Sequence, residues 1–99
     1  MPRYLIERNV PGAHNMSAEE LHSAANQSCD VLDQLGSDIE WEQSFITEDR
    51  ITCVYVARDE DMVREHAGLS GFPANRIQEI RNGISPATAE PRKEVGHVR

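Results

Sequence analysis

Histidine and carboxylate side chains near the beginning of the chain are the residues best suited to metal chemistry. Glu19 and His22 are three positions apart, so both can point to one side of a helix, and His14 lies just before that segment. Imidazole and carboxylate groups are suitable ligands for divalent transition metals. These residues therefore predict a metal half-site that a second copy of the chain could complete. The alternative is a solvated helix face, because no dense ligand motif such as His-Glu-x-x-His occurs.

A second set of residues could form a small pocket against a strand. His66 would supply a base, Tyr55 a phenol, Cys53 a soft ligand and Glu7 a carboxylate. Cys53 and Tyr55 lie on one face of their strand because side chains alternate, but the sequence leaves open whether the helices cover that face or the other one. In the alternative interpretation, His66 only hydrogen-bonds a neighbour and joins a helix to the sheet.

The composition excludes several kinds of partner. Seventeen acidic residues face ten Lys and Arg residues, for a net charge of −7. Binding to nucleic acid or to an anionic membrane would require a positive surface. The charged residues within positions 1–8 do not fit a secretory signal, and no apolar run is long enough to span a membrane, so we expect a cytoplasmic protein.

The two cysteines do not suggest a zinc site. Cys29 falls in a helical pattern and Cys53 in a strand pattern, and the sequence has no Cys-x-x-Cys pair. We expect both to be reduced and semi-buried.

The first part of the chain predicts a strand followed by a helix. Apolar and polar positions alternate over residues 3–10, up to Pro11. Ser17 and Glu20 have the spacing of a capping box, which predicts the start of a helix, and Gly36 predicts its end. The apolar stripe of this helix comprises Leu21, Ala25, Ser28, Leu32 and Leu35.

The next segments predict a hairpin and a second helix. Residues 39–46 alternate, with Trp41 and Phe45 on one face, and residues 51–57 are apolar on both faces. Asp59 is placed to cap the second helix, which ends before a glycine. The inner stripe of this helix comprises Met62, Val63, His66, Ala67 and Ser70.

The last part of the folded chain is ambiguous. Ile77, Ile80 and Ile84 have helical spacing, whereas the order of the preceding elements requires a final strand. Residues 85–99 show no periodic apolar face, so we expect one domain over residues 1–84 and a flexible tail after it.

The order of elements predicts a ferredoxin-like α+β domain of βαββαβ type. Such a domain has an antiparallel sheet with two helices on one face. The other face would be bare, and the doubly apolar third strand, with Trp41 and Phe45, would leave apolar groups on it. We therefore expect a homodimer that packs through this face.

Four stretches of the chain resemble a known family: PRYLIERNVPG, SAEELHSAANQS, ITCVYVARDEDMVREHA and GFPANRIQEIRNGISPATA. Together they are similar to a small bacterial ferredoxin-like family of formerly unknown function, some members of which are described as nickel-binding proteins. The most specific pieces are Glu7-Arg8 and His66-Ala67 followed by Gly71-Phe72-Pro73. The resemblance implies a homodimer and a final strand over about residues 76–84, although Asn82, Gly83 and Ser85 depart from the family pattern.

The expected function follows from this resemblance. It implies a non-enzymatic homodimer that binds Ni²⁺ or another divalent transition metal, for sequestration or homeostasis. The family also resembles the broader dimeric α/β-barrel group, which includes oxygenases, isomerases, haem-degrading proteins and binding modules, and the fold does not choose among them. The alternatives are a small-molecule-binding or catalytic barrel that uses His66 and Tyr55, and a purely structural interaction module.

Overall fold

Two helices cover one face of a four-stranded antiparallel sheet. The computed structural model describes residues 1–89. The strands lie in the order β2-β3-β1-β4, and every neighbouring pair is antiparallel. This arrangement confirms the predicted ferredoxin-like α+β fold. The elements are β1 (Arg3–Asn9), α1 (Ala18–Leu35), β2 (Ile39–Ile46), β3 (Arg50–Ala57), α2 (Glu60–Ser70) and β4 (Arg76–Ile80).

Both helices begin at the predicted caps. At the start of α1, the Glu20 amide donates to the Ser17 hydroxyl at 3.1 Å and the Ser17 amide donates to the Glu20 carboxylate at 2.9 Å. At the start of α2, the Met62 amide donates to the Asp59 carboxylate at 2.9 Å. These contacts satisfy amides that have no acceptor within the helix. Helix α2 ends at Gly71, whose φ of 77° is favourable only for a residue without a side chain.

The ambiguous last segment is a strand, as the family resemblance implies, and it is shorter than expected. β4 pairs with β1 from Glu7 opposite Arg76 to Arg3 opposite Ile80. Since β1 begins at Arg3, residues 81–84 have no strand beside them and the pairing ends. Pro86–Thr88 form a short 3-10 turn within the predicted tail, and residues 90–99 of that tail lie outside the described residues.

The core lies between the helices and the covered face of the sheet. All five residues of the predicted inner stripe of α2 are buried. The stripe of α1 is less deeply buried, because Leu32 and Leu35 are only partly covered and Leu21 remains 37% exposed. Cys53 is buried as a core residue, whereas Cys29 is exposed and not semi-buried as expected. The buried apolar cluster comprises Tyr4, Ile6, Ile39, Cys53, Tyr55, Ala57, Met62 and Val63.

A β-bulge in β2 overturns one sequence prediction. Trp41 pairs with Tyr55 and Gln43 with Val54, so Glu42 is an extra residue without a partner. The alternation is therefore reset after Trp41. Trp41 points toward the helices, while Phe45 points to the opposite face and is 52% exposed. The prediction that both aromatic residues share a face is wrong.

The face of the sheet that the helices leave open carries partly exposed apolar side chains. Val54 and Val56 alternate with the buried positions of β3, and Leu5 lies beside Val54 on β1. Phe45 adds an aromatic ring on β2. Within residues 1–89, neither helix has the length and apolar character needed to cross a membrane.

Candidate functional site

The register of β3 places three of the four pocket candidates together. Cys53 and Tyr55 lie beneath the helices, and the rings of Tyr55 and His66 are in contact, with centroids 4.9 Å apart. Glu7 does not join them, because it lies at the opposite parity of β1, where its carboxylate accepts a hydrogen bond from Arg50 at 2.9 Å. It therefore cannot orient the His66 ring from within the core.

A short polar chain joins α1, α2 and β3. The Ser28 hydroxyl lies 3.0 Å from Nε2 of His66 and 3.3 Å from the Tyr55 hydroxyl. Burial, together with the positive charge of Arg8, lowers the pKa of His66 to about 4. Burial is also the main cause that raises the pKa of Tyr55. Both side chains are thus neutral near pH 7, and this contact joins the helices to the sheet.

A cavity of about 250 Å³ lies beside these hydrogen-bonded side chains, between α1 and the sheet. Cys53, Tyr55 and Ser28 contribute to its wall, whereas His66 does not line it. A catalytic pair would require both His66 and Tyr55 to face the cavity, and of these two residues only Tyr55 does so. Most of its wall is apolar, including Met16, Leu21, Ala25, Trp41, Ile51 and Phe72.

Among residues 1–89, Arg8 contributes the only formally charged side chain that lines this cavity. It is only 3% exposed. Its Nε donates to the Cys53 sulfur at 3.4 Å and its Nη1 donates to the Pro73 carbonyl at 2.6 Å. Its Nη2 is buried and has no acceptor among residues 1–89. Its Cζ lies 5.8 Å from the centroid of the Phe72 ring.

The sulfur of Cys53 holds the Arg8 side chain within a larger polar network. Ser44 donates to this sulfur at 2.8 Å, and Trp41 donates to the Ser44 hydroxyl at 2.9 Å. The bulge in β2 makes this network possible, because it directs both Trp41 and Ser44 to the covered face. The guanidinium group is consequently held by the Cys53 sulfur and the Pro73 carbonyl.

Sequence reasoning did not identify Arg8 as a site residue. Its position on β1 could have revealed it, because Arg8 follows Tyr4 and Ile6 in the alternation and so points to the same face of the strand. An arginine at an inward position of a strand must find partners in the core or a ligand. Glu7-Arg8 is one of the sequence pieces that carry the family resemblance, but the predicted pocket includes only Glu7 of these two residues.

The metal candidates lie on the surface. Glu19 and His22 are exposed on α1, and His14 is exposed in the short 3-10 turn Ala13–Asn15. Nδ1 of His14 lies 2.7 Å from the Glu48 carbonyl oxygen. Since a carbonyl only accepts, Nδ1 carries the hydrogen and Nε2 of the neutral ring keeps its lone pair.

These residues do not form a complete metal site in one chain. Among residues 1–89, no three His, Cys, Asp or Glu side chains are grouped so that they could hold a metal ion. The described part of one chain therefore does not offer nickel a full set of protein ligands. It offers the oriented imidazole of His14 and two further candidates, Glu19 and His22.

The comparisons with known proteins agree with the fold. Residues 4–80 match the family model described as nickel responsive protein SCO4226-like. The structure is similar to the crystal structure of SCO4226 from Streptomyces coelicolor A3(2), with a TM-score of 0.70 and 18% sequence identity. The likeness covers 83% of this chain and 99% of that chain. No curated protein matches the sequence.

Proposed function

The chain belongs to the family of nickel-responsive SCO4226-like proteins, and from this premise we propose that it binds nickel or a related divalent transition metal. In this proposal the protein is a homodimer without enzymatic activity, and it serves metal sequestration or homeostasis. The family description is the reason for choosing nickel first.

The hydrogen bond of His14 is the observation that carries the proposal. Histidines that bind metals usually donate the hydrogen of one ring nitrogen to a carbonyl or carboxylate, which fixes the ring and leaves the other nitrogen free for the metal. His14 has this arrangement, with Nδ1 2.7 Å from the Glu48 carbonyl oxygen and an exposed ring. Neutral imidazole is a suitable ligand for nickel.

A second copy of the chain would supply the missing ligands. Glu19 and His22, one turn apart on α1, offer a carboxylate and an imidazole for the same purpose. Because one protomer groups no three such ligands within residues 1–89, the proposed site combines side chains of two protomers with water molecules.

Calorimetric titration with nickel chloride tests this proposal. We expect the double variant His14→Ala, His22→Ala to bind nickel at least about tenfold more weakly than the wild type, because it removes both imidazoles. We also expect wild-type binding to weaken below about pH 6, where imidazole takes up protons that compete with the metal.

The matched control is His97→Ala, which removes a histidine outside the described residues. It should bind nickel as the wild type does. Unchanged binding in the double variant would remove His14 and His22 from the site. A loss of binding in His97→Ala that does not occur in the double variant would have the same meaning.

A further inference from the structure

We propose that the cavity beneath α1 binds a small organic anion, a carboxylate with an apolar body, whose carboxylate is held by Arg8. This inference is independent of metal binding, because the cavity includes none of the three metal candidates. It rests on the charge of the cavity, on its shape and on its access to solvent.

Arg8 is almost fully buried, and its two hydrogen-bonded nitrogens donate to the Cys53 sulfur and to a backbone carbonyl. No carboxylate lies within ion-pair distance of it among residues 1–89. His66, which is near enough for its pKa to be lowered by Arg8, is neutral and provides no negative charge.

A buried charge without a counter-charge is costly, because the group loses its hydration without gaining an ion pair. Proteins therefore pair buried charges or use them to bind ions of opposite sign. Nη2 of Arg8 is covered and has no acceptor, so a turn of the guanidinium group toward the cavity would allow it to donate a further charge-assisted hydrogen bond. An anionic ligand would satisfy both the charge and the missing acceptor.

The cavity volume of about 250 Å³ exceeds that of a 150 Å³ apolar cavity that holds benzene, and by proportion it accommodates a ligand of about ten heavy atoms. Ala24 and Ala25 make this space, because α1 presents short side chains where larger ones would fill it. The aromatic residues Trp41 and Phe72 contribute flat apolar surface to the wall. The walls thus suit an aryl or short alkyl group.

Leu21 and Ile46 line the cavity, yet they are 37% and 40% exposed. One side of the cavity therefore reaches solvent between the beginning of α1 and the end of β2. A ligand entering there would place its apolar body among these side chains and its carboxylate toward Arg8.

The sequence contains one tryptophan, Trp41, and it lines the cavity, so its fluorescence reports binding directly. The probes are octanoate and 3-phenylpropionate, each compared with the matching alcohol, octan-1-ol or 3-phenylpropan-1-ol. We expect at least one of the two carboxylates to bind with a Kd below about 1 mM and at least about tenfold more tightly than its alcohol. If neither carboxylate binds in this range, or if the alcohols bind as tightly, the proposal is wrong.

Two variants separate the charge from the space. Arg8→Met should abolish the preference for carboxylate over alcohol, whereas the control Arg3→Met, on the same strand but exposed, should keep it. Ala25→Phe should fill the cavity and weaken both ligands at least about tenfold while Arg8 remains in place. If the carboxylate preference persists in Arg8→Met, or if ligand binding is unchanged in Ala25→Phe, the cavity is not the site. The nickel titration of His14 and His22 variants is read separately, so either proposal can fail alone.

Discussion

The buried imidazole of His66 makes the stability of the fold depend on pH. Burial and the charge of Arg8 lower its pKa to about 4 in the folded protein. In the unfolded chain an imidazole has an ordinary pKa of about 6.5. Between these two values the unfolded state binds more protons than the folded state, so the free energy of unfolding falls as the pH falls. The contribution of His66 is fully present above about pH 6.5 and is lost as the pH decreases toward 4.

Urea unfolding of wild type and His66→Gln at pH 7, 5.5 and 4 measures this effect. Glutamine does not titrate, so we expect the wild type to lose up to about 3 kcal/mol more stability than the variant between pH 7 and pH 4. His22→Gln is the control, because His22 is exposed on α1, and it should retain the wild-type pH dependence. Parallel pH profiles for wild type and His66→Gln would show that His66 is not the titrating group.

At the same scale, the sequence predicted the contact of His66 with Tyr55 only as one of two arrangements. Residues 51–57 have apolar or small side chains on both faces, so their pattern does not determine which face the helices cover. In the structure, the face of β3 with Cys53 and Tyr55 packs against Ser28 and His66 of the helices. Glu7 points to the other face of the sheet and is therefore separated from His66 and Tyr55. Arg8 was missed because a charged residue near the end of a strand is usually solvated.

At the scale of elements, the bulge in β2 determines which side chains reach the cavity. Glu42 is the residue without a partner on β3. On either side of it, Trp41 and Ser44 both point toward the helices and both belong to the polar network around Cys53. A regular strand with one residue fewer would preserve these directions, because Gln43 would then follow Trp41 on the open face.

Deletion variants of β2 test this description. Deleting Glu42 should cost less than about 1 kcal/mol, since the inward positions are preserved and the ion pair lost with Arg3 is exposed. Deleting Glu40 should cost several times more, because it places Ile39 and Trp41 on opposite faces and removes one of them from the core. The midpoints of thermal unfolding compare the two, and equal losses would contradict the assignment of Glu42 as the extra residue.

The elements differ in how far the sequence determines them. Helix α2 was predicted with its cap and its whole buried face, because capping and helical periodicity are local signals. β4 could not be predicted from its own residues, since Ile77 and Ile80 also fit a helix. Its conformation depends on pairing with β1, which lies about 70 residues earlier in the chain. The bulge was equally hidden, because Trp41 and Phe45 satisfy a regular alternation.

At the scale of the whole molecule, the open face of the sheet is the surface through which the proposed homodimer would pack. Leu5, Val54 and Val56 lie there side by side and are only partly covered. Phe45 is directed to the same face by the bulge and is 52% exposed. A small domain has a modest core, so covering this surface with a second copy would add stability through a self-complementary interface.

Light scattering at about 50 µM tests the proposed homodimer. We expect the wild type to have about twice the chain mass of 11.1 kDa. Val54→Glu should shift it to the monomer, because two carboxylates would be buried in a symmetric interface, and its circular dichroism should remain that of a folded α+β protein. Gln34→Glu, at an exposed position of α1 on the other side of the sheet, should remain dimeric. A monomeric wild type, or a dimeric Val54→Glu, would place the interface elsewhere or remove it.

The Val54→Glu monomer should also bind nickel more weakly than the wild type in a calorimetric titration. A site that is shared between two protomers loses ligands once the protomers separate.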